Sequence, residues 1–335
     1  MKAKGTIMTE HRAFKPIWAC AAILMAGIAS AGTAQFAGGT GEPNAPYQIA
    51  TCEQLVALGN DPNIWDKHFV LTSNLDMKGV DPNAMHPIGN SEECPFVGVF
   101  DGVGHTITSL CLEPEYGVRV GLFGCVGGVA GPSDQHKVAR ACVQNLHLKD
   151  VRVQYKGSSV GGLAGMLLAG TISNCSVTGV VMGGDMICDT GGLLGYSLGK
   201  ITRCTTDVSV QGGPRVGGLI GDMVGGEVTY CSSSGGVQGV AFVGGLVGAI
   251  EFSEYPTGLH KNKPEQIGHP GAVLCCRSDC SVIGTEDMIG GLAGSVFGDG
   301  KIEDCYALGP VSGSAQVGGL IGELWGSCVT RCYAS

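Results

Sequence analysis

The sequence predicts an all-β fold, a parallel β-helix wound from coils of about 27 residues, on three observations. Glycine fills 58 of the 335 positions, against a usual share of ~7%. Charged residues make up only 15% and aromatics 6%, yet 44% of the chain is hydrophobic. One glycine-bearing phrase returns seven times from residue 120 onward. Such a chain is too apolar and too weakly charged to be disordered. Its glycines do not fall at every third position, which excludes collagen. Long helices are disfavoured because each interior glycine costs roughly 1 kcal/mol relative to alanine.

Residues 1–34 read as a signal peptide. Lys2, Lys4, Arg12 and Lys15 precede an apolar run from Ile17 to Ile28, and small residues follow, with cleavage expected after Ala31 or Ala34. A basic start, a short apolar core and an A-x-A-like end are the secretory pattern. The run is too short for a bilayer span, which takes ~20 residues. Without the four basic residues and one acid (Glu10) of this segment, 16 of 20 basic and 28 of 29 acidic residues remain, a formal charge of −12. An acidic, exported chain with no basic run and no later transmembrane segment is a poor match for nucleic acid or an anionic membrane.

Residues 35–116 read as an N-terminal cap and first coils. Thr51 and Gln54 have the spacing of a capping box. Leu55, Val56 and Leu58 form a short apolar face, and Gly59 is expected to stop the helix. Phe69, Leu71 and the stretch 96–110 read as the first strands.

Residues 117–335 are the repeats. The phrase runs Val120-Gly-Leu-Phe-Gly124, Val160-Gly-Gly-Leu-Ala-Gly165, Thr190-Gly-Gly-Leu-Leu-Gly195 and Val216-Gly-Gly-Leu-Ile-Gly221. It continues as Val243-Gly-Gly-Leu-Val-Gly248, Ile289-Gly-Gly-Leu-Ala-Gly294 and Val317-Gly-Gly-Leu-Ile-Gly322. The leucines Leu122, Leu163, Leu193, Leu219, Leu246, Leu292 and Leu320 are spaced 41, 30, 26, 27, 46 and 28 apart, so two units are enlarged. A second phrase ends in Cys175, Cys204, Cys231, Cys276, Cys305 and Cys332. The first copy has Leu146 in that slot, which marks it as an apolar position. Self-similarity at this period signals a solenoid. About three short strands per unit, with glycine supplying positive-φ turns and letting stacked backbones approach closely, would stack coil on coil at ~4.8 Å. A β-propeller is the competitor, but its blades run to ~40–45 residues.

The Val-Gly-Gly-Leu-x-Gly phrase at this period resembles the GLUG motif of bacterial surface and secreted proteins. Residues 36–110 resemble the segment that commonly precedes such repeats, in Gly38-Gly-Thr-Gly-Glu-Pro43, Pro46-Tyr-Gln-Ile-Ala-Thr51 and Phe100-Asp-Gly-Val-Gly-His-Thr-Ile107. The resemblance implies a right-handed β-helix, export and often adhesion. It brings no catalytic residue, because the motif is structural. The chain stops at Cys332-Tyr-Ala-Ser335 in mid-unit with no polar cap, so the expectation is a continuing segment or stacking on a copy of itself.

Fifteen cysteines follow the signal segment, in a compartment that would permit disulfides. The six in the repeat slot read as buried hydrophobes. Cys125 and Cys142 are the better disulfide candidates, and Cys276 with Cys280 makes a weak metal pattern.

The second enlarged unit holds a polar insertion at about 250–271 with Glu251, Glu254, His260, Lys261, Lys263, Glu265 and His269. A polysaccharide lyase would need a base such as Lys261 or Lys263, and a glycosidase two facing carboxylates from Glu251, Glu254 and Glu265. The plainer reading is a decorated loop. Asp101 and His105 read as turn residues. No P-loop lysine or calcium nonapeptide is present. The sequence therefore assigns no catalytic, cofactor-binding or metal residue and no cofactor. It points to an exported, non-enzymatic repeat protein, secreted or at the cell surface. Its expected partner is a surface glycan or protein, further copies of itself or a missing C-terminal segment. The alternatives are a polysaccharide-active enzyme and a purely structural assembly module.

Overall fold

A computed structural model describes residues 35–114, 119–129, 138–139, 141–184, 188–252 and 271–335. The expected signal peptide, 1–34, and residues 253–270 of the polar insertion, with Glu254, His260, Lys261, Lys263, Glu265 and His269, lie outside them. The fold is a parallel β-helix. A representative coil has four strands, Ser159–Gly161, Ala164–Leu167, Gly170–Ser173 and Ser176–Met182. Stacking these strands along the axis gives four sheets, here the first to fourth, of seven, seven, ten and eleven strands among the described residues. The expectation of about three strands per unit is thus corrected to four. The motif's Gly-Leu pair bends the chain between its first and second strands.

Register is kept by internal columns of like side chains. On the third sheet Phe69, Phe100, Val143, Ile172, Ile201, Val228, Val273, Ile302 and Val329 are successive partners. At the bend, the Leu163 N–H donates to the Leu193 carbonyl at 3.0 Å, and the ladder continues through Leu219, Leu246, Leu292 and Leu320 at 2.8–2.9 Å. The leucines from Leu122 to Leu292 are all at most 1% exposed. Backbone groups are thereby satisfied between coils even where no strand runs, as burial requires.

The N-terminal end is closed with aromatics and a helix. Phe36, Tyr47, Phe69, Phe96, Phe100 and Phe123 stack with ring centroids 4.7–6.2 Å apart. The helix Cys52–Asn60 opens with the expected box: Gln54 N–H donates to Thr51 Oγ1 while the Gln54 side chain accepts from the Thr51 N–H. It buries Leu55 and Leu58, and Trp65 Nε1 donates to the Leu58 carbonyl at 2.8 Å. Gly59 does not stop it. The helix runs on to Asn60 with Asp61 as its cap, and Gly59 is small because a Cβ there would lie 2.5 Å from the His86 carbonyl oxygen.

The motif glycines are not positive-φ residues, which corrects the turn part of the glycine reading, while the close-approach part holds. They are sites of close approach. A Cβ on Gly217, the first glycine of its phrase, would lie 1.9 Å from the Ile220 carbonyl oxygen of its own bend. On Gly218, the second, it would meet the Gly245 carbonyl of the next coil at 2.1 Å. On Gly221, the third, it would meet the Thr190 N of the preceding coil's first strand at 2.4 Å. One bend thus has its own chain, the next coil and the previous coil all within backbone contact.

Left-handed backbone falls on other glycines, such as Gly170 and Gly226 at or just before the start of third-sheet strands, and on a set of non-glycine corners. Asn145, Asn174, Arg203, Tyr230, Cys275, Asp304 and Arg331, each just before the cysteine slot, have φ of 52–56°. Asparagine suits this region and bulky residues are outliers in it. Neighbouring corner side chains bond along the axis. Asn174 Nδ2 donates to Asn145 Oδ1 at 2.9 Å, Arg203 lies 5.8 Å over the Tyr230 ring, and Arg331 pairs with Asp304.

The six repeat cysteines form the expected internal column. The Cys204 N–H donates to Cys231 Sγ, Cys231 N–H to Cys276 Sγ and Cys276 N–H to Cys305 Sγ, each at 3.4 Å. Leu146 fills the equivalent slot at 0% exposure. Cys125 and Cys142 do not pair with each other. Cys125 is on the second sheet opposite Met166, and Cys142 is on the third opposite Val99 and Thr171, its thiol 3.5 Å from Gln144 Oε1. Cys275 and Cys328 are exposed. Maleimide titration of the native chain is therefore expected to label these two first, and the buried column from Cys175 to Cys305 only after unfolding. Fast native labelling of Cys204 or Cys276 would contradict the burial described.

Candidate functional site

Three surface features carry chemistry. The first is the outer face of the fourth sheet. Alternation along its strands, as in Thr205–Gln211, sends every second residue to solvent. One outer row runs Thr106, His147, Ser176, Thr205, Ser232, Arg277, Tyr306 and Tyr333. His147 Nδ1 and Ser176 Oγ are 2.8 Å apart within this row. No carboxylate among the described residues bonds the other ring nitrogen of His147, so the contact lacks the third group of a nucleophilic triad.

The second is a groove of about 420 Å³ at the corner between the third and fourth sheets, lined by Tyr230, Cys231, Ser232, Cys275, Arg277, Asp304 and Tyr306. The left-handed corners put Tyr230, Cys275 and Asp304 of three successive coils side by side. Tyr230 is 62% exposed. Tyr306 stacks on Tyr333 at 5.2 Å with the rings 8° from parallel. Arg331 donates to both Asp304 oxygens, at 2.6 and 2.8 Å, and holds the Asp304 carboxyl below the usual carboxylate range.

The third is an acidic corner between the first and second sheets. Arg215 lies 3.7 Å from Asp189, 3.6 Å from Asp222 and 3.5 Å from Glu251. Burial pushes the Asp189 carboxyl up to about 7, with Arg215 opposing and Glu251 reinforcing the shift. Burial also raises Asp222, helped by its acidic neighbours, and raises Tyr196 as well. Asp222 Oδ1, Asp189 Oδ1 and Arg215 Nε are buried and make no hydrogen bond in the structure. Clusters of perturbed groups are candidate sites on physical grounds.

Of the residues singled out from sequence, Glu251 is brought to this corner; the remaining insertion residues lie outside the described positions. Asp101 and His105 are turn residues that bond different partners. Asp101 accepts from the Val103 N–H at 2.8 Å, Gln144 Nε2 at 2.7 Å and Asn145 Nδ2 at 3.0 Å, whereas His105 Nδ1 meets Asn74 Oδ1 at 3.2 Å. Cys280 does not join Cys276 in a ligand pair. Its thiol donates to the Gly245 carbonyl at 3.1 Å, and no group of three or more possible ligands gathers among the described residues. The sequence reading missed Tyr230 and the Asp189–Arg215–Asp222 cluster. The available signal was position: Asp189 and Arg215 each immediately precede a repeat phrase, and Tyr230 immediately precedes a slot cysteine.

The GLUG motif model matches residues 156–182 and 288–312. The first of these spans contains one complete four-strand coil, so the matched motif coincides there with one turn of the parallel β-helix. Over 163 residues the chain is 29% identical to Halomucin of Haloquadratum walsbyi. That match takes in 47% of this chain and only 2% of Halomucin's length. The fold is shared with a crystal structure from Bacteroides ovatus, provisionally described as an immunoglobulin A1 protease. The TM-score is 0.65 at 20% identity, over 89% of this chain and 87% of that one. At that identity the likeness concerns the fold alone. No helix among the described residues is long and apolar enough to cross a membrane.

Proposed function

We propose that this chain is an exported, non-enzymatic binding solenoid that engages glycan or protein at a cell surface. The observation that carries the reading is the outer face of the fourth sheet. Its side chains stand in straight rows, one per coil. One such row runs from small polar residues at Ser176, Thr205 and Ser232 to Arg277, Tyr306 and Tyr333. Matching rows let many weak contacts add, so that affinity grows with the number of coils engaged rather than with any single pocket. The test is retention of the intact chain on immobilised glycans and surface proteins, with Ser234→Lys and Asp279→Lys introduced together on that face. Weakened retention with unchanged melting supports the reading, and retention indifferent to the charges overturns it.

The acidic corner favours a second reading, a polysaccharide-active enzyme. A carboxyl titrating near 7 beside other acids is the arrangement of a general acid. Release of reducing ends or unsaturated products that disappears in Glu251→Gln would establish it. No release from neutral or acidic polysaccharides would remove it.

A further inference from the structure

We propose that the corner groove at Tyr230 is a subsite for a neutral sugar ring, an inference that rests on the glycan-binding reading above. Tyr230 occupies the left-handed corner that successive coils share, φ 55°, and there it stays 62% exposed, so its ring is presented to solvent rather than packed into the core. Arg203 covers the ring from the side of the preceding coil at 5.8 Å. The groove opens on the side of the following coils, where Cys275, Arg277, Asp304 and Tyr306 line it.

These groups match a pyranose. An aromatic face offers a surface for the C–H face of the ring. The Asp304 carboxylate, kept ionised by Arg331, retains lone pairs for hydroxyl donors, and the Arg277 guanidinium donates to hydroxyl oxygens. The volume, about 420 Å³, is within the range of small-molecule sites. A chain with a formal charge of −9 repels polyanions at distance. With one acid and one arginine lining the groove, neutral sugars are favoured over uronates.

The test is calorimetric titration of the full chain with hexasaccharides of glucan, mannan and galactan, against a polygalacturonate hexasaccharide. A neutral series member is expected to bind. Tyr230→Ala should weaken it roughly tenfold or more with melting unchanged, and Tyr230→Phe should restore it. The exposed Cys275 thiol reports occupancy: its alkylation should slow with sugar bound while that of Cys328 does not. If neutral sugars bind but Tyr230→Ala and Cys275 are indifferent, the groove is not the site, and glycan binding stands. Preference for the uronate overturns the ligand class. Binding of none of the four overturns both this proposal and the glycan reading.

Discussion

Gly244→Ala is expected to destabilise the solenoid by on the order of 3–5 kcal/mol, the range of severe core overpacking and backbone strain. A Cβ on Gly244 would lie 1.8 Å from the Val247 carbonyl oxygen and 2.8 Å from the Gly294 N. Neither neighbour is a flexible side chain. One is the other arm of the same bend and the other belongs to the next coil, which is locked by its own ladder. Relief would require widening the bend, and widening it breaks the Leu246 to Leu292 bond at 2.9 Å. Because repeats interact mainly with their neighbours, loss of one coil divides the stack. Thermal unfolding should therefore shift from one transition to two, the lower one containing the coils nearest the substitution. Gly236→Ala is the matched control. No atom lies within 4 Å of a Cβ there and its φ is not positive, so it should be neutral or stabilise by up to about 1 kcal/mol through the unfolded state. Circular dichroism melts of the two variants decide the matter. Equal behaviour would mean that the motif glycines are tolerated rather than required.

The contrast explains what was legible in the sequence. The period, the apolar columns and the cysteine slot could be read directly, because a stacked coil demands the same side chain at the same place in each turn. The helix cap could be read because Thr51 and Gln54 satisfy orphan N–H groups locally. The fourth strand could not, since the phrase from Val216 to Gly221 is uniformly apolar on both sides of a bend made by close approach rather than by turn chemistry. The left-handed corners were hidden for the opposite reason. Asn145, Arg203, Tyr230 and Asp304 share a backbone conformation but not a side-chain type, since each is matched to its neighbour in the stack: an amide pair, an arginine over a ring, an ion pair. The acidic corner was out of reach because Asp189, Arg215, Asp222 and Glu251 come from three coils and two sheets.

That corner sets the second large effect, a fall in stability as pH rises from about 4 to about 8. An aspartate in the unfolded chain titrates near ~3.9, whereas Asp189 in the fold is pushed up to about 7 and Asp222 is raised as well. Across the interval between, the folded state holds protons that the unfolded state has released, so each step up in pH favours unfolding. The loss begins near the unfolded value and is complete only above the folded ones. For a shift like that of Asp189, at ~1.4 kcal/mol per unit, it is on the order of 2–4 kcal/mol, shared among the coupled acids. Carboxylates held below their usual range, such as Asp101, Glu303 and Asp304, contribute the opposite slope. Theirs falls below about pH 4. Asp222→Asn removes the most buried charge and leaves Arg215 with two acids, so it should raise the melting temperature at pH 8 and flatten the profile above pH 4. It should change little at pH 4, where the native carboxyl is already protonated. Stability that rises over this interval, or an Asp222→Asn variant that melts lower at pH 8, would mean that the three acids are ionised together and held by Arg215 more strongly than burial opposes them.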